Sequence, residues 1–231
     1  MQVQRIQNNI IFQAKIPKNI SPTYKTSQSK ANTIAVLGSS KTTDEILKYM
    51  DICSNSVKSM VLSGKNIVTG CGSSGIMGEA YKSGYNYSLK NKNNMPKQNL
   101  AILTKPLWGD EDLEHCIPIG CAKSEADRIE MFSQVADTMI IFPGSAGTLQ
   151  EATTLISKNY YGKSEDKKKI ILVGKEFFKG LIEQYNKLYK SGLIKHKPSE
   201  LFTVVDSEKE LNGILKSKVY KNASTENSKQ L

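Results

Sequence analysis

The chain has 231 residues, 39% hydrophobic and 23% charged, which suits one α/β domain of ordinary size. No apolar run approaches the roughly 20 residues that cross a bilayer, and residues 1–30 lack a secretory apolar core; a membrane partner is excluded and a cytoplasmic location expected. The cysteines Cys53, Cys71, Cys116 and Cys121 are too scattered for a disulfide framework. With only His115 and His196 beside them, no metal-ligand cluster can be drawn, so zinc is not expected.

The net charge of +10 resembles a nucleic-acid signature until it is divided along the chain. Residues 1–30 carry Arg5, Lys15, Lys18, Lys25 and Lys30 and no acid, and residues 216–231 carry Lys216, Lys218, Lys221 and Lys229 against Glu226. The body between them is left almost neutral. A nucleic-acid-binding domain concentrates charge on its folded body, so nucleic acid is not an expected partner. The ends read as a basic, flexible N-terminal arm (1–30) and a basic C-terminal tail (216–231) around one domain over 31–215.

From Thr33 onward, short β-branched runs alternate with longer helical patterns. Strands are predicted at Thr33–Leu37, Asn66–Thr69, Asn99–Thr104, His115–Ile119, Thr138–Phe142 and Lys169–Val173. Helices are predicted at Asp44–Ser63, Gly75–Leu89, Ser124–Val135, Thr148–Tyr160, Lys175–Tyr189 and Ser207–Leu215. Apolar runs such as Thr138–Phe142 suit strands buried on both faces of a parallel sheet. The alternation therefore predicts a single-domain, Rossmann-like, doubly wound and mainly parallel α/β fold. Lys90–Lys97 reads as a polar loop, and Pro106–Glu114 as a connection or a lid.

Ligands in such sheets sit where strands end and helices begin. Three of these junctions are rich in glycine and small hydroxyls: Gly38-Ser39-Ser40; Gly70-Cys71-Gly72-Ser73-Ser74-Gly75; and Pro143-Gly144-Ser145-Ala146-Gly147-Thr148. Glycine lets a backbone approach a ligand closely, and the free amides of a helix start attract anions. One such turn is explained by tight geometry alone; three at one edge point to a phosphate or nucleotide pocket. The second matches G-x-G-x-x-G, but the next strand ends Leu103-Thr104-Lys105 without the carboxylate that a dinucleotide ribose requires.

Two charged residues stand out. On a helical wheel Arg128 falls inside the apolar arc of Met131, Val135, Phe132, Ile129 and Ala136. A cation there requires a buried anionic partner. Glu125, in the same arc, is one candidate; a substrate at the helix start is the other. Glu151 also has two readings. Thr148-Leu149-Gln150-Glu151 is a capping box, and the same carboxylate lies beside the proposed anion site.

Together these residues resemble the LONELY GUY (LOG) family, many members of which carry the older description of lysine decarboxylases. The family's P-G-G-x-G-T-x-x-E is similar to Pro143–Glu151 (P-G-S-A-G-T-L-Q-E), and its M-H-x-R-K arginine falls on Arg128, fifteen residues before Pro143. Thr69–Gly78 resembles the family's Y-G-G-G-x-x-G-L-M-G, and Gly38-Ser39-Ser40 its G-S-S. The likeness runs over residues 33–215.

The resemblance implies hydrolysis of a nucleoside 5′-monophosphate, AMP or an N6-modified AMP of the cytokinin type, to free base and ribose 5-phosphate, with no metal or organic cofactor. It implies Arg128 and Glu151 as the catalytic pair and Gly144, Ser145, Ala146, Gly147 and Thr148 as the phosphate grip. It also places Gly72, Ser73, Ser74, Ser39 and Ser40 around the pocket, and implies a homodimer or higher homo-oligomer. The chain departs from the family pattern at Ser145, at Ile129 and at Glu125, where the family has methionine near the base. A carboxylate at 125 can accept from an exocyclic amine, which shifts the expected base preference. The alternative is a non-catalytic carrier of a phosphate-bearing ligand on the same scaffold, similar to molybdenum cofactor carriers. Lysine decarboxylation is disfavoured, since no pyridoxal-anchoring lysine context stands out.

Overall fold

The computed structural model describes residues 32–70, 72–90, 99–104 and 116–216. The expectations for residues 1–30, 91–97, 106–114 and 217–231 fall outside them. The chain order is β1 (Thr33–Leu37), α1 (Asp44–Leu62), β2 (Asn66–Thr69), α2 (Gly75–Lys90), β3 (Asn99–Thr104), β4 (Ile117–Ala122), α3 (Glu125–Val135), β5 (Thr138–Ile141), α4 (Ala146–Tyr161), a 3-10 turn (Ser164–Asp166), β6 (Lys169–Val173), α5 (Lys179–Lys190), α6 (Pro198–Leu201), β7 (Thr203–Val205) and α7 (Glu208–Lys216). The seven strands form one sheet in the order β4-β3-β2-β1-β5-β6-β7, with every pairing parallel. This is the expected doubly wound α/β fold in a single domain.

Alternation along each strand sends side chains to two separate cores. Ala35 and Leu37 of β1 join Phe132 of α3 and Leu155 of α4 on one face. Ile34 and Val36 join Val57 of α1 and Ile76 of α2 on the other. Covered on both faces, β1, β3 and β6 carry almost continuous apolar sequence. The helices bearing Arg128 and Glu151 therefore lie side by side on one face, tied at their surface by an ion pair between Lys158 and Glu130.

β1 pairs with β2 on one side and β5 on the other, and the strand order reverses there. Connections leave these neighbours in opposite directions, opening a crevice beyond their carboxyl ends. Two backbone bonds lace its floor: Phe142 N–H donates to the Leu37 carbonyl (2.9 Å) and Ser39 N–H to the Pro143 carbonyl (3.0 Å).

Several boundaries differ from expectation. β4 runs to Ala122 because its pairing with β3 resumes beyond a register shift at Ala101/Ile102. Gly120 sits inside it, where a Cβ would meet Met131 Cε at 2.2 Å. α5 begins at Lys179, since Lys175–Phe178 forms turns in which Phe178 N–H donates to the Gly174 carbonyl. The short elements α6 and β7 were not expected. β7 pairs with β6, and α6 is held by Asn159 of α4, whose buried amide donates to the carbonyls of Lys168 (2.8 Å) and Leu201 (3.1 Å) and accepts from Lys168 N–H (2.7 Å). Asn159→Ala strips these partners at once and is expected to cost about 2–3 kcal/mol in urea unfolding.

Candidate active site

The first turn of α3 fixes one half of the site. Ser124 caps it, its Oγ accepting from Asp127 N–H at 3.2 Å, while the Asp127 carboxylate accepts from Lys123 N–H at 2.8 Å. Glu125 is thereby the first helical residue and Arg128 the fourth, neighbours on one face. The Arg128 guanidinium packs on the end of β2: a Cβ at Gly70 would lie 2.9 Å from its Nη1 and 3.1 Å from Met77 Sδ. Glycine at 70 leaves the cation its place.

The other half is the start of α4. The helix begins at Ala146, with Ser145 as N-cap and no side-chain capping bond. The expected capping box therefore does not form. Glu151 is the sixth helical residue, a turn beyond the position that reaches a cap. The cause lies at Gly144, where a Cβ would sit 2.1 Å from Thr148 Oγ1 and 2.9 Å from Ser39 N. Chain and hydroxyl close on each other there, so Thr148 belongs to the first turn instead of preceding it. Leu149 N–H is the amide that donates to the Ser145 carbonyl, which leaves the amides of Ala146, Gly147 and Thr148 without intrahelical acceptors at the positive end of the dipole. Ser145, Ala146 and Gly147 are exposed and Thr148 buried. Gly144→Ala is expected to cost about 3 kcal/mol or more by overpacking this turn, measured by denaturant unfolding.

The turns after β1 and β2 are knitted together. Ser39 is buried, and its Oγ both donates to the Lys41 carbonyl (2.8 Å) and accepts from Lys41 N–H (2.9 Å). Ser74 Oγ donates to the Ser40 carbonyl at 2.6 Å, and Gly75 N–H to Thr42 Oγ1 at 3.2 Å. Gly75 adopts φ +61°, which favours glycine, and a Cβ there would strike the Ser39 carbonyl oxygen at 2.5 Å. The hydroxyls of Ser39 and Ser74 thus shape the turns, while Ser40 and Ser73 are exposed. Gly72 is buried beneath Met77, whose Cε lies 2.9 Å from a Cβ placed at Gly72.

Between the two halves, three charges converge. Arg128 and Glu151 are 5% and 6% exposed. Arg128 Nη2 lies 2.7 Å from Glu125 Oε2 and 3.7 Å from Glu151 Oε1. The internal-acid reading of Arg128 holds: Glu125 is its near partner, and the guanidinium also reaches the carboxylate on α4. Burial pushes the Glu151 carboxyl up to about 7, opposed by Arg128 and reinforced by Glu125. Arg128 Nε and Glu125 Oε1 are buried without hydrogen-bond partners among the described residues. Thr148 and Glu151, one turn apart on α4, share its buried face. Sequence reasoning placed Gly70 and Met77 in the glycine-rich stretch after β2 without giving them a role beside Arg128; the structure beds the guanidinium on them.

The family model described as possible lysine decarboxylase matches residues 92–215, more than half of the sequence and the whole of α3 and α4. The chain belongs to that family. No curated protein matches this member. Its fold is similar to that of the molybdenum cofactor binding protein from the phototrophic bacterium Rippkaea orientalis, with 17% identity, a TM-score of 0.56, and coverage of 80% of this chain and 96% of that one. The Moco carrier protein from Chlamydomonas reinhardtii is similar at 18% identity and a TM-score of 0.56, with the same coverage. At such identities the likeness speaks for the scaffold of this lysine-decarboxylase-family member and leaves its chemistry to the site itself. Among the described residues, no helix is long and apolar enough to cross a membrane.

Proposed function

We propose that the protein hydrolyses the N-glycosidic bond of a nucleoside 5′-monophosphate, AMP or an N6-modified AMP, releasing the base and ribose 5-phosphate. One observation carries the reading: a buried guanidinium on α3 and a buried carboxylate on α4 face each other at 3.7 Å, one turn along from the exposed start of α4. The amides of Ala146, Gly147 and Thr148 are suited to the 5′-phosphate. Held there, the sugar is fixed against Glu151, so binding energy from the phosphate is used for orientation.

Cleavage builds positive charge on the ribose ring, as in glycoside hydrolysis. The Glu151 carboxylate stabilises that charge and accepts a proton from the attacking water. The water oxygen bonds C1′, and the electrons of the broken C–N bond leave with the base nitrogen, which takes a proton from solvent. Arg128 orients Glu151 and favours its ionised form. Because an ionised Glu151 is required, kcat/KM is expected to rise with pH through about 7 and then level. Lysine decarboxylation, named in the family's description, is disfavoured. The buried cation is Arg128, and a guanidinium forms no imine with an aldehyde cofactor.

A second reading, a carrier of a phosphate-bearing ligand, is favoured by the closer contact of Arg128 with Glu125 than with Glu151 and by the similarity in fold to cofactor carriers. Incubation of the purified protein with AMP separates the two. Ribose 5-phosphate released in step with adenine supports the hydrolase, whereas tight AMP binding with no product supports the carrier.

A further inference from the structure

Arg128 offers one nitrogen, Nη2, to two carboxylates on different helices, at 2.7 Å from Glu125 and 3.7 Å from Glu151. Its remaining donors do not double either contact: Nε is buried without a hydrogen-bond partner among the described residues, and Nη1 faces the backbone of Gly70. A bidentate fork to Glu151, the strong arrangement for an arginine and a carboxylate, is therefore absent among these groups. Glu125 holds the cation with one oxygen, and its other oxygen is buried and unpartnered.

We propose that Glu125 is a positioning residue for the hydrolysis inferred above: it competes with Glu151 for the single guanidinium and so sets the charge state from which Glu151 starts. Two arrangements follow. With Arg128 drawn to Glu125, the carboxylate on α4 is buried beside a like charge and keeps its proton. With Arg128 drawn to Glu151, that carboxylate is paired and ionised, ready to face a developing cation. In the structure the guanidinium lies nearer Glu125, as in the first.

The direction agrees with the environment of Glu151. Among the described residues, the charged groups acting on it are Arg128 and Glu125, both from α3. β2 presents the neutral Gly70, and α4 itself the neutral Thr148. Of the two carboxylates, Glu151 is the more deeply buried (side chains 8% against 31% exposed) and the more distant from the cation, and burial favours its protonated form.

The test is a carbon-13 NMR titration of the Glu151 side-chain carboxyl in the ligand-free protein, which needs no catalytic turnover. In Glu125→Gln the competitor loses its charge, and the Glu151 midpoint is expected to fall by about one pH unit or more, a tenfold loss of proton affinity. Glu125→Asp retains the charge and is expected to keep the midpoint near that of the parent protein. Glu125→Ala, a truncation at a partly exposed position, is expected to move it as Gln does. An unchanged midpoint in both Gln and Ala variants would overturn the proposal, since burial alone would then set it. The acid limb of kcat/KM for AMP is expected to follow the NMR midpoint. Absence of AMP cleavage in the parent protein, with the midpoint still moving, would overturn the hydrolase reading and leave the competition standing.

Discussion

Replacing Glu151 by Gln is expected to lower ribose 5-phosphate release from AMP by on the order of a thousandfold while AMP still binds. Gln has nearly the shape of Glu, so the packing of α4 against α3 is retained. What disappears is the negative charge opposite the developing cation and the acceptor for the water's proton. The same variant carries a stability signature with a fixed sign. The carboxyl titrates at about 7 when folded, against an ordinary value of 4.5. Below 4.5 it is protonated in both states. Between 4.5 and about 7 the folded protein holds a proton that the unfolded chain has released, so stability falls as pH rises through that window. The full loss, reached above pH 7, is about 3 kcal/mol. Urea unfolding across this range is expected to show the decline in the parent protein and to lack that component in E151Q. A parent protein and variant falling in parallel would mean that burial does not hold a proton on Glu151.

Replacing Arg128 by Met is expected to be more damaging to the fold. It removes the cation between Glu125 and Glu151 and leaves two carboxylates facing one another with poor access to water. Breaking a buried charge cluster from one side costs about 3–5 kcal/mol. The loss is expected to be largest at high pH, where both acids would be ionised, and to shrink as the pH falls. Combining R128M with E151Q removes the repulsion at its source. Unfolding of the double variant is therefore expected to recover part of the stability lost in R128M alone, a coupling that independent sites would not show. R128K retains charge but not the planar fork, and is expected to fall between the two.

The fold was legible because a parallel sheet covered on both faces writes itself as apolar runs. Thr138–Ile141 and Lys169–Val173 announce buried strands, and the helical stretches between them imply crossovers. β7 escaped because three residues at a sheet edge carry no period, and its place comes from parallel pairing with β6. In the site, the wheel position of Arg128 foretold a buried cation, and the three-residue spacing foretold Glu125. Its contact with Glu151 joins two helices, and no local pattern encodes that. The capping-box reading of Thr148–Glu151 failed for a related reason. Local spacing satisfied the pattern, but the approach of Gly144 to Ser39 sets the helix start two residues earlier.

The proposed hydrolysis requires a nucleotide's phosphate at the amides opening α4, with its sugar against the carboxylate on the next turn. A crystal structure of E151Q grown with AMP addresses it most directly, since the variant is expected to bind without cleaving. Phosphate oxygens are expected within hydrogen-bonding reach of the amides of residues 146–148 and the ribose C1′ facing the side chain at 151, with Arg128 beside the sugar. A nucleotide seated away from this crevice, or one whose phosphate turns from α4 while residue 151 stays shielded from the ribose, would contradict it.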